Sequence, residues 1–313
     1  MSTAEAAGSA VAAKPARKKA HRSDRSNAER KLGLMLCAPA AIVMVAVTGY
    51  PILYAIWLSL HRSDLRFPDN TAWIGLDNYV TVLSANLWWK DLFHTVVLTA
   101  LSVSIELVLG MLLALAMHRA IFGRGLIRTT ALVPYGIVTV VAAFAWRLAF
   151  SKADGGFVPA VLHLQSDPLI TTWSTYLTAI LAEAWKTTPF MALLLLAGLA
   201  LVPDDLHEAA KVDGASAWQR FTHLTLPLLR PYIAVAVTIE LVNAMQVFTS
   251  VYVLTRGGPG DHTETAGYFV WSKAFQHFQL GYASAAGIVI WVILVVLAVV
   301  NYRITNRGEA QPW

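Results

Sequence analysis

Six apolar runs, at about residues 32–60, 92–117, 126–150, 175–201, 229–254 and 282–302, leave this chain few ways to fold. Each is long enough to cross a hydrocarbon layer of roughly 30 Å as a helix, which takes about 20 residues. No water satisfies backbone N–H and C=O groups inside a bilayer, so only helices and closed barrels span one. Barrel strands are excluded, because no region alternates polar and apolar residues over units of about ten. Composition agrees with helices in lipid. Hydrophobic residues make up 57% and charged residues 14% of the 313, against roughly 45–50% and about 25% in soluble chains. The expectation is an all-α integral membrane protein with six transmembrane helices.

Residues 1–31 stand apart as a basic tail, expected to be disordered. Residues 1–13 are small and nearly uncharged, while Lys14 to Lys31 hold eight Lys/Arg against Asp24 and Glu29. A nucleic-acid arm, a presequence and a membrane-proximal tail all carry such charge. The apolar run that follows directly favours the tail, since positive flanks stay in the cytoplasm. No nucleic-acid partner is expected. The run Leu32–Leu60 also exceeds the roughly 7–15 residues of a signal-peptide core, so it reads as a retained span. Threading six spans from this start leaves sixteen Lys/Arg on the N-terminal side, Arg119, Arg124 and Arg307 among them, and seven on the other. Both termini, including the C-terminal tail 304–313, are therefore expected in the cytoplasm. Trp73, Trp88, Trp89 and Trp173 read as anchors at the opposite interface. The lone Cys37 excludes an internal disulfide and a multi-cysteine metal site, and reads as a buried thiol. Pro134 and Pro189 should kink their spans, which a membrane tolerates when neighbouring helices satisfy the freed carbonyls.

The loop 203–227, between the fourth and fifth spans, is too structured for a plain connection. Asp204 and Asp205 fall where the first turn of a helix favours negative charge. Gly214 can adopt the left-handed conformation that ends such a helix. Ser216 and Gln219 have the spacing of a capping box for a second one, and Pro227 closes the sharp part of the loop. Two short helices meeting at a glycine make a compact knob on the cytoplasmic face.

Glu208-Ala209-Ala210, then Gly214, then Leu224-Thr225-Leu226-Pro227 resembles the EAA loop of permeases in bacterial binding-protein-dependent ABC importers. Leu224 stands where isoleucine is usual. Trp73–Tyr79, Pro134-Tyr135, Trp185 with Pro189-Phe190, and Leu254–Pro259 are similar to the maltose/trehalose-type sugar-permease branch, so the resemblance runs over about 32–303. It implies the type I importer permease fold, in a multi-pass protein of the bacterial plasma membrane with a cytoplasmic coupling helix. It implies that the knob docks on an ATPase subunit, with Glu208, Ala209, Ala210, Asp213 and Gly214 at the contact and Glu208 facing a basic group. The implied partners are a second homologous permease chain, two ATPase subunits and an extracytoplasmic solute-binding protein. No Gly-rich phosphate loop occurs here, so this chain needs no cofactor of its own; ATP and Mg belong to the ATPase subunits.

Charges inside the spans deserve a functional reading, because each costs about 2.5–3.5 kcal/mol at the bilayer centre on insertion scales. Glu183, Lys186, Thr187 and Phe190 share one helical face, and Glu240, Asn243 and Gln246 mark a second polar stripe. Glu106 stands among aliphatic residues and reads as a packing or hydrogen-bonding group. Such stripes suit sugar hydroxyls, proton relays or a structural salt bridge with Lys186. In the maltose-type permease, sugar-contacting positions lie just before the EAA loop and in the following helix. Matched through Trp185, Pro189 and the Gly257-Gly258-Pro259 turn, they fall on Glu183, Lys186, Thr187, Phe190 and Glu240, with Asn243 adjacent. Charges stand here where that relative has amide, apolar and hydroxyl groups, which points to another disaccharide such as trehalose. The alternatives are a non-sugar ABC importer, as for glycerol 3-phosphate, and a proton-coupled secondary transporter. An enzyme is not expected: no metalloprotease, nucleophile-elbow or paired-Asp motif occurs.

Overall fold

A computed structural model describes residues 20–119 and 124–306; residues 1–19, 120–123 and 307–313, with much of the basic tail and the end of the C-terminal tail, lie outside them. The chain divides into two compact units, 1–54 and 55–313. In the first, α1 (Ala20–Met44) passes through a π-turn at Val45–Gly49 into α2 (Tyr50–Ser59), which carries the boundary. The helix begins inside the stretch expected to be disordered. Its Ala, Arg, Glu and Lys content explains that, since these are strong helix formers. Nor does Thr48-Gly49-Tyr50-Pro51 break the run. A proline ring clashes with the carbonyl four residues back, here Val47, and that carbonyl lies in the wider π-turn. Leu34, Leu36, Ile42 and Val45 are exposed, and so is Cys37, contrary to the buried thiol expected. Exposed apolar surface of this extent needs lipid or protein over it.

The second unit opens with a two-residue antiparallel pair, β1 (His61–Arg62) and β2 (Ala72–Trp73). In the loop between them Arg66 donates to Asp64 at 2.9 and 2.5 Å, which holds that carboxyl down at about 2. Then follow α3 (Asp77–Ser84), α4 (Asn86–Arg119), α5 (Arg124–Gly136), α6 (Thr139–Phe150), α7 (Phe157–Val161) and α8 (Thr172–Leu199). The remaining helices are α9 (Asp204–Val212), α10 (Ala217–Arg220), α11 (Leu226–Met245), α12 (Thr249–Leu254), α13 (Ala266–Trp271) and α14 (Leu280–Asn306).

Among the described residues five helices are long and apolar enough to cross a membrane: Arg30–Ser59, Asn86–His118, Thr172–Leu199, Ala217–Met245 and Leu280–Ile304. The expected third span is instead a broken pair, bent by 91° between Arg128–Gly136 and Thr139–Phe150; counted as one crossing it makes six. Pro134 donates no backbone hydrogen bond, Gly136 ends α5, and Val138 turns extended (ψ 133°) before α6 begins. Pro189, by contrast, sits within an unbroken α8. The fifth run also departs from expectation at both ends. Its helix starts within the loop, continuing from α10 through a π-turn at Phe221–Thr225, and stops at Met245 rather than running to 254. Pro227 therefore breaks nothing. The carbonyl four residues before it, His223, lies in the π-turn, the same solution as at Pro51.

The core lies where α4, α8 and α11 meet. Met111, Ala114 and Met117 of α4 pack on Met191, Ala192 and Leu195 of α8, with Leu229 and Ala236 of α11 closing the cluster. Without a hydrophobic drive between helices in lipid, such contacts depend on close packing by small residues. Trp88 is no interfacial anchor: it is fully buried and meets the Phe269 ring edge-on at 5.5 Å. Trp73, Trp89 and Trp173 are exposed.

Gly198 sets how closely α8 and α11 approach, because a Cβ there would stand 2.7 Å from Tyr232 Cγ and 2.8 Å from its Cβ. Tyr232 cannot yield near its own backbone. Gly198→Ala should therefore destabilise the protein by about 1–3 kcal/mol through overpacking. Gly33→Ala, with nothing within 4 Å, should be neutral or stabilising. Thermal unfolding of both variants in detergent measures the difference.

Candidate functional site

The knob is built by two adjoining backbone motifs. Helix α9 carries Asp204 and Asp205 in its first turn and Lys211 in its last, both matching the helix dipole. It ends at Gly214, with φ of 79°. There Gly214 N–H donates to the Lys211 carbonyl at 3.0 Å and Ala215 N–H to that of Ala210 at 2.9 Å, the paired bonds of a Schellman cap. The next residue starts the second motif. Ser216 Oγ accepts from Gln219 N–H at 3.2 Å while Gln219 Oε1 accepts from Ser216 N–H at 2.8 Å, the capping box expected from the sequence. Arg220 Nη1 donates to the Ala215 carbonyl at 2.5 Å, tying α10 back across the glycine.

Of the five residues expected to meet the ATPase, Glu208, Ala209, Asp213 and Gly214 are exposed and Ala210 half-buried. A cavity of about 500 Å³ opens beside Gly214, lined by Ala210, Asp213, Gln219, Arg220, His223 and Leu224. Sequence reasoning passed over Val212 and Trp218, which are 88% and 72% exposed on the same knob. Their signal was an apolar residue at a position with no core to face.

The second candidate site lies within the spans. Glu183, Lys186, Thr187 and Phe190 do share a face of α8. Phe190 stacks on Tyr135 with ring centroids 5.2 Å apart, and Lys186 Nζ lies 5.8 Å from the Tyr135 centroid. A stacked aromatic pair with a cation on its face makes a flat apolar wall with one donor beside it. Glu183 does not pair with Lys186 as the salt-bridge alternative required; its Oε2 accepts from Ser250 Oγ of α12 at 2.8 Å. The only ion pairs within 4.0 Å among the described residues are Arg66–Asp64 and Lys90–Asp261. Glu240 of α11 is 1% exposed, within electrostatic reach of Glu183 and Lys186, and lies against Asn243. The second stripe does not extend to Gln246, which lies beyond α11 and donates to the Val242 carbonyl at 2.9 Å.

Glu106 corrects the sequence reading. It is not isolated among aliphatic residues but sits beside Thr187, with Glu240 and Glu183 nearby. Like Tyr135 and Ser250, it reaches the site from another helix, so no spacing within one segment reveals it.

Fold and knob together define a class: a polytopic helical membrane subunit with a rigid helical knob between two of its spans. The chain belongs to the family of binding-protein-dependent transport system inner membrane components, whose sequence pattern matches residues 83–308. It is thus a multi-pass membrane permease subunit and not an enzyme. It is 47% identical over 285 residues to the trehalose transport system permease protein SugA of Mycobacterium tuberculosis, covering 91% of each chain. It is 38% identical over 282 residues to the trehalose/maltose transport system permease protein MalF of Thermococcus litoralis, covering 88% of this chain and 94% of that one. Its fold matches a chain in the crystal structure of a bacterial alginate ABC transporter in complex with alginate pentasaccharide-bound periplasmic protein. There the TM-score is 0.77 at 22% identity, over 92% of this chain and 99% of that one.

The capping box makes the knob a defined shape, and removing it has a measurable local effect. Losing an N-cap serine costs about 1 kcal/mol, or roughly a fivefold change in local opening. Ser216→Ala should raise amide hydrogen exchange across 216–220 by that factor and leave α8 unchanged.

Proposed function

We propose that this chain is one half of the membrane pore of an ATP-driven importer of a disaccharide, trehalose being the best candidate. The observation that carries the cargo class is the 47% identity to a trehalose permease over nearly the whole chain. The site agrees with it: an aromatic wall, one lysine and several carboxylate acceptors are the groups that a flat, hydroxyl-rich ring requires. In this reading the termini and the knob face the cytoplasm, as the distribution of Lys and Arg supports. Glu208, Ala209, Ala210, Asp213 and Gly214 contact an ATPase subunit, which holds ATP and Mg. A second, homologous permease completes the pore, a second ATPase copy sits under it, and an extracytoplasmic binding protein delivers the sugar.

The geometry supports a mechanical route for coupling. From Ala217 to Met245 the helix is continuous for 29 residues. At about 1.5 Å per residue, Arg220 and Glu240 lie roughly 30 Å apart on one rod. Displacement of the knob by closing ATPase subunits would therefore move Glu240 and Asn243 relative to the Glu183 face of α8. Opening and closing that gap is alternating access.

Two tests follow. Affinity purification of the tagged chain should recover a second permease and two ATPase copies, and sugar-stimulated ATP hydrolysis by that complex should fall at least tenfold in Glu208→Ala and Gly214→Leu with membrane insertion unchanged. A solitary chain that transports, or coupling that survives both changes, refutes the docking role.

Glu183→Gln, Lys186→Met and Glu240→Gln probe the cargo face. Hydrogen bonds to charged groups are worth roughly 1.5–3 kcal/mol, so each loss should lower uptake by about tenfold or more at unchanged thermal stability. Lost stability with normal uptake by the surviving complex would assign the charges to packing instead.

A further inference from the structure

A cavity of about 510 Å³, separate from both sites above, lies where the end of the first long apolar helix meets the start of the last. Its walls include Arg62 and Ser63, just past the end of the first at Ser59, Thr81 of α3, and Lys273 and Tyr282 on either side of Leu280, where the last begins. The frame is preformed. Asn78 Nδ2 donates to the Ser59 and His61 carbonyls at 2.8 and 2.9 Å. Leu65 N–H donates to the Phe278 carbonyl at 2.9 Å, and Gly281 N–H to that of Ser63 at 3.1 Å. A Cβ at Gly281 would collide with the His61 carbonyl oxygen, so this loop and α14 meet only over a glycine.

Charge and depth identify what fits. Neither Arg62 nor Lys273 has a carboxylate within 4.0 Å among the described residues. Glu264 and Asp91 lie within electrostatic reach of Lys273, whose Nζ stands 5.2 Å from the centroid of the Phe269 ring. The carboxylate on the wall, Asp64, is already taken up by Arg66 at 2.9 and 2.5 Å. The side chains of Ser63, Asn70, Gln279 and Tyr282 have no hydrogen-bond partner among the described residues. Two cations among unused hydroxyl and amide donors match an anion with several acceptor oxygens. The helix Leu280–Ile304 has 25 residues. At about 1.5 Å per residue it outruns a hydrocarbon core of roughly 30 Å, so its ends stand in the headgroup layer. The surrounding loop is apolar as well as charged: Phe67 on the wall is 63% exposed, and Leu65 and Phe278, joined through their backbones, are exposed too.

We propose that this cavity holds the headgroup of an anionic phospholipid, with Arg62 and Lys273 on its phosphate and Leu65, Phe67 and Phe278 against its acyl chains. Arg62 offers two parallel N–H donors to a phosphate and Lys273 a compact charge. A zwitterionic headgroup brings a cation to the two already there, so the site prefers a lipid of net negative charge. The volume is several times what a lone phosphate fills, and the apolar rim has no use for a soluble anion. An acidic side chain of a docking protein matches the charge but leaves most of the cavity empty. Bound lipid joins the loop 61–73, α3 and α14, and stabilises the folded subunit by mass action.

The test uses the intact transporter complex, purified in detergent through a tag on this chain and stripped of lipid. Native mass spectrometry during titration should show tighter binding of phosphatidylglycerol than of phosphatidylcholine. Each Lys or Arg near an anionic lipid is worth roughly fivefold, so Arg62→Gln with Lys273→Gln should cut that preference by about tenfold or more, while Arg62→Lys with Lys273→Arg keeps most of it. Equal binding of the two lipids by the wild type, or a preference unchanged in the Gln pair, overturns the proposal. If the Gln pair keeps its lipid preference but loses stimulation of ATP hydrolysis by a solute-binding protein, the cavity belongs to protein docking instead. Inorganic phosphate that displaces the lipid at equal concentration overturns the lipid assignment in favour of a soluble anion. Should the Gln pair fail to assemble, Arg62→Gln alone must lower the preference by about fivefold, and no change overturns the proposal. None of these outcomes depends on the cargo.

Discussion

A bilayer offers no water to a stranded polar group, and the junction of α4, α8 and α11 is where this chain meets that constraint. The backbone groups are satisfied within helices, so the burden falls on side chains. Thr187 spends its proton on its own helix at the Glu183 carbonyl, and Ser250 spends its own on the Glu183 carboxylate. Glu106 and Glu240 remain with unpartnered oxygens in the best-packed part of the molecule. Polar groups this costly are rare in spans unless something uses them. The close approach at Gly198 and the stack of Tyr135 on Phe190 hold the helices that carry them in register.

Rigidity at the knob has a different origin. Helices α9 and α10 bury no residue of their own; their shape comes from backbone hydrogen bonds at Gly214 and the Ser216–Gln219 box. Such motifs are local, so the knob keeps its form whatever the spans do. Its connection to the spans is equally direct, since α10 becomes α11 with no intervening loop. A knob that is stiff and joined to a stiff rod moves with it as one body.

Much of this was legible in the residues. The apolar runs set the class, and Asp204-Asp205, Gly214 and Ser216-Gln219 specified the knob, because each feature is decided within a few neighbouring positions. The Glu183 face followed from helical spacing alone. What escaped was tertiary. Trp88 looked like an interfacial anchor until Phe269, far along the chain, was seen to cover it, and Glu106 looked isolated because Glu183 and Glu240 come from other helices. Proline acts differently from one site to the next. Pro134 accompanies a full 91° break, whereas Pro227 and Pro51 leave their helices continuous behind π-turns. The residue type fixes that a donor is missing, but the surroundings choose between breaking and widening.

The π-turn at Phe221–Thr225 also fixes angular phase. A π-turn accommodates one more residue than an α-turn would, and one residue is worth about 100° of rotation about the helix axis. Everything beyond it, Glu240 and Asn243 included, inherits that offset. If the extra residue were squeezed out and the stretch became plain α-helix, Glu240 would swing about a quarter-turn or more off its bearing towards Glu183 without any change in α8. The widened turn thus does more than seat Pro227: it sets the direction in which the far end of α11 looks.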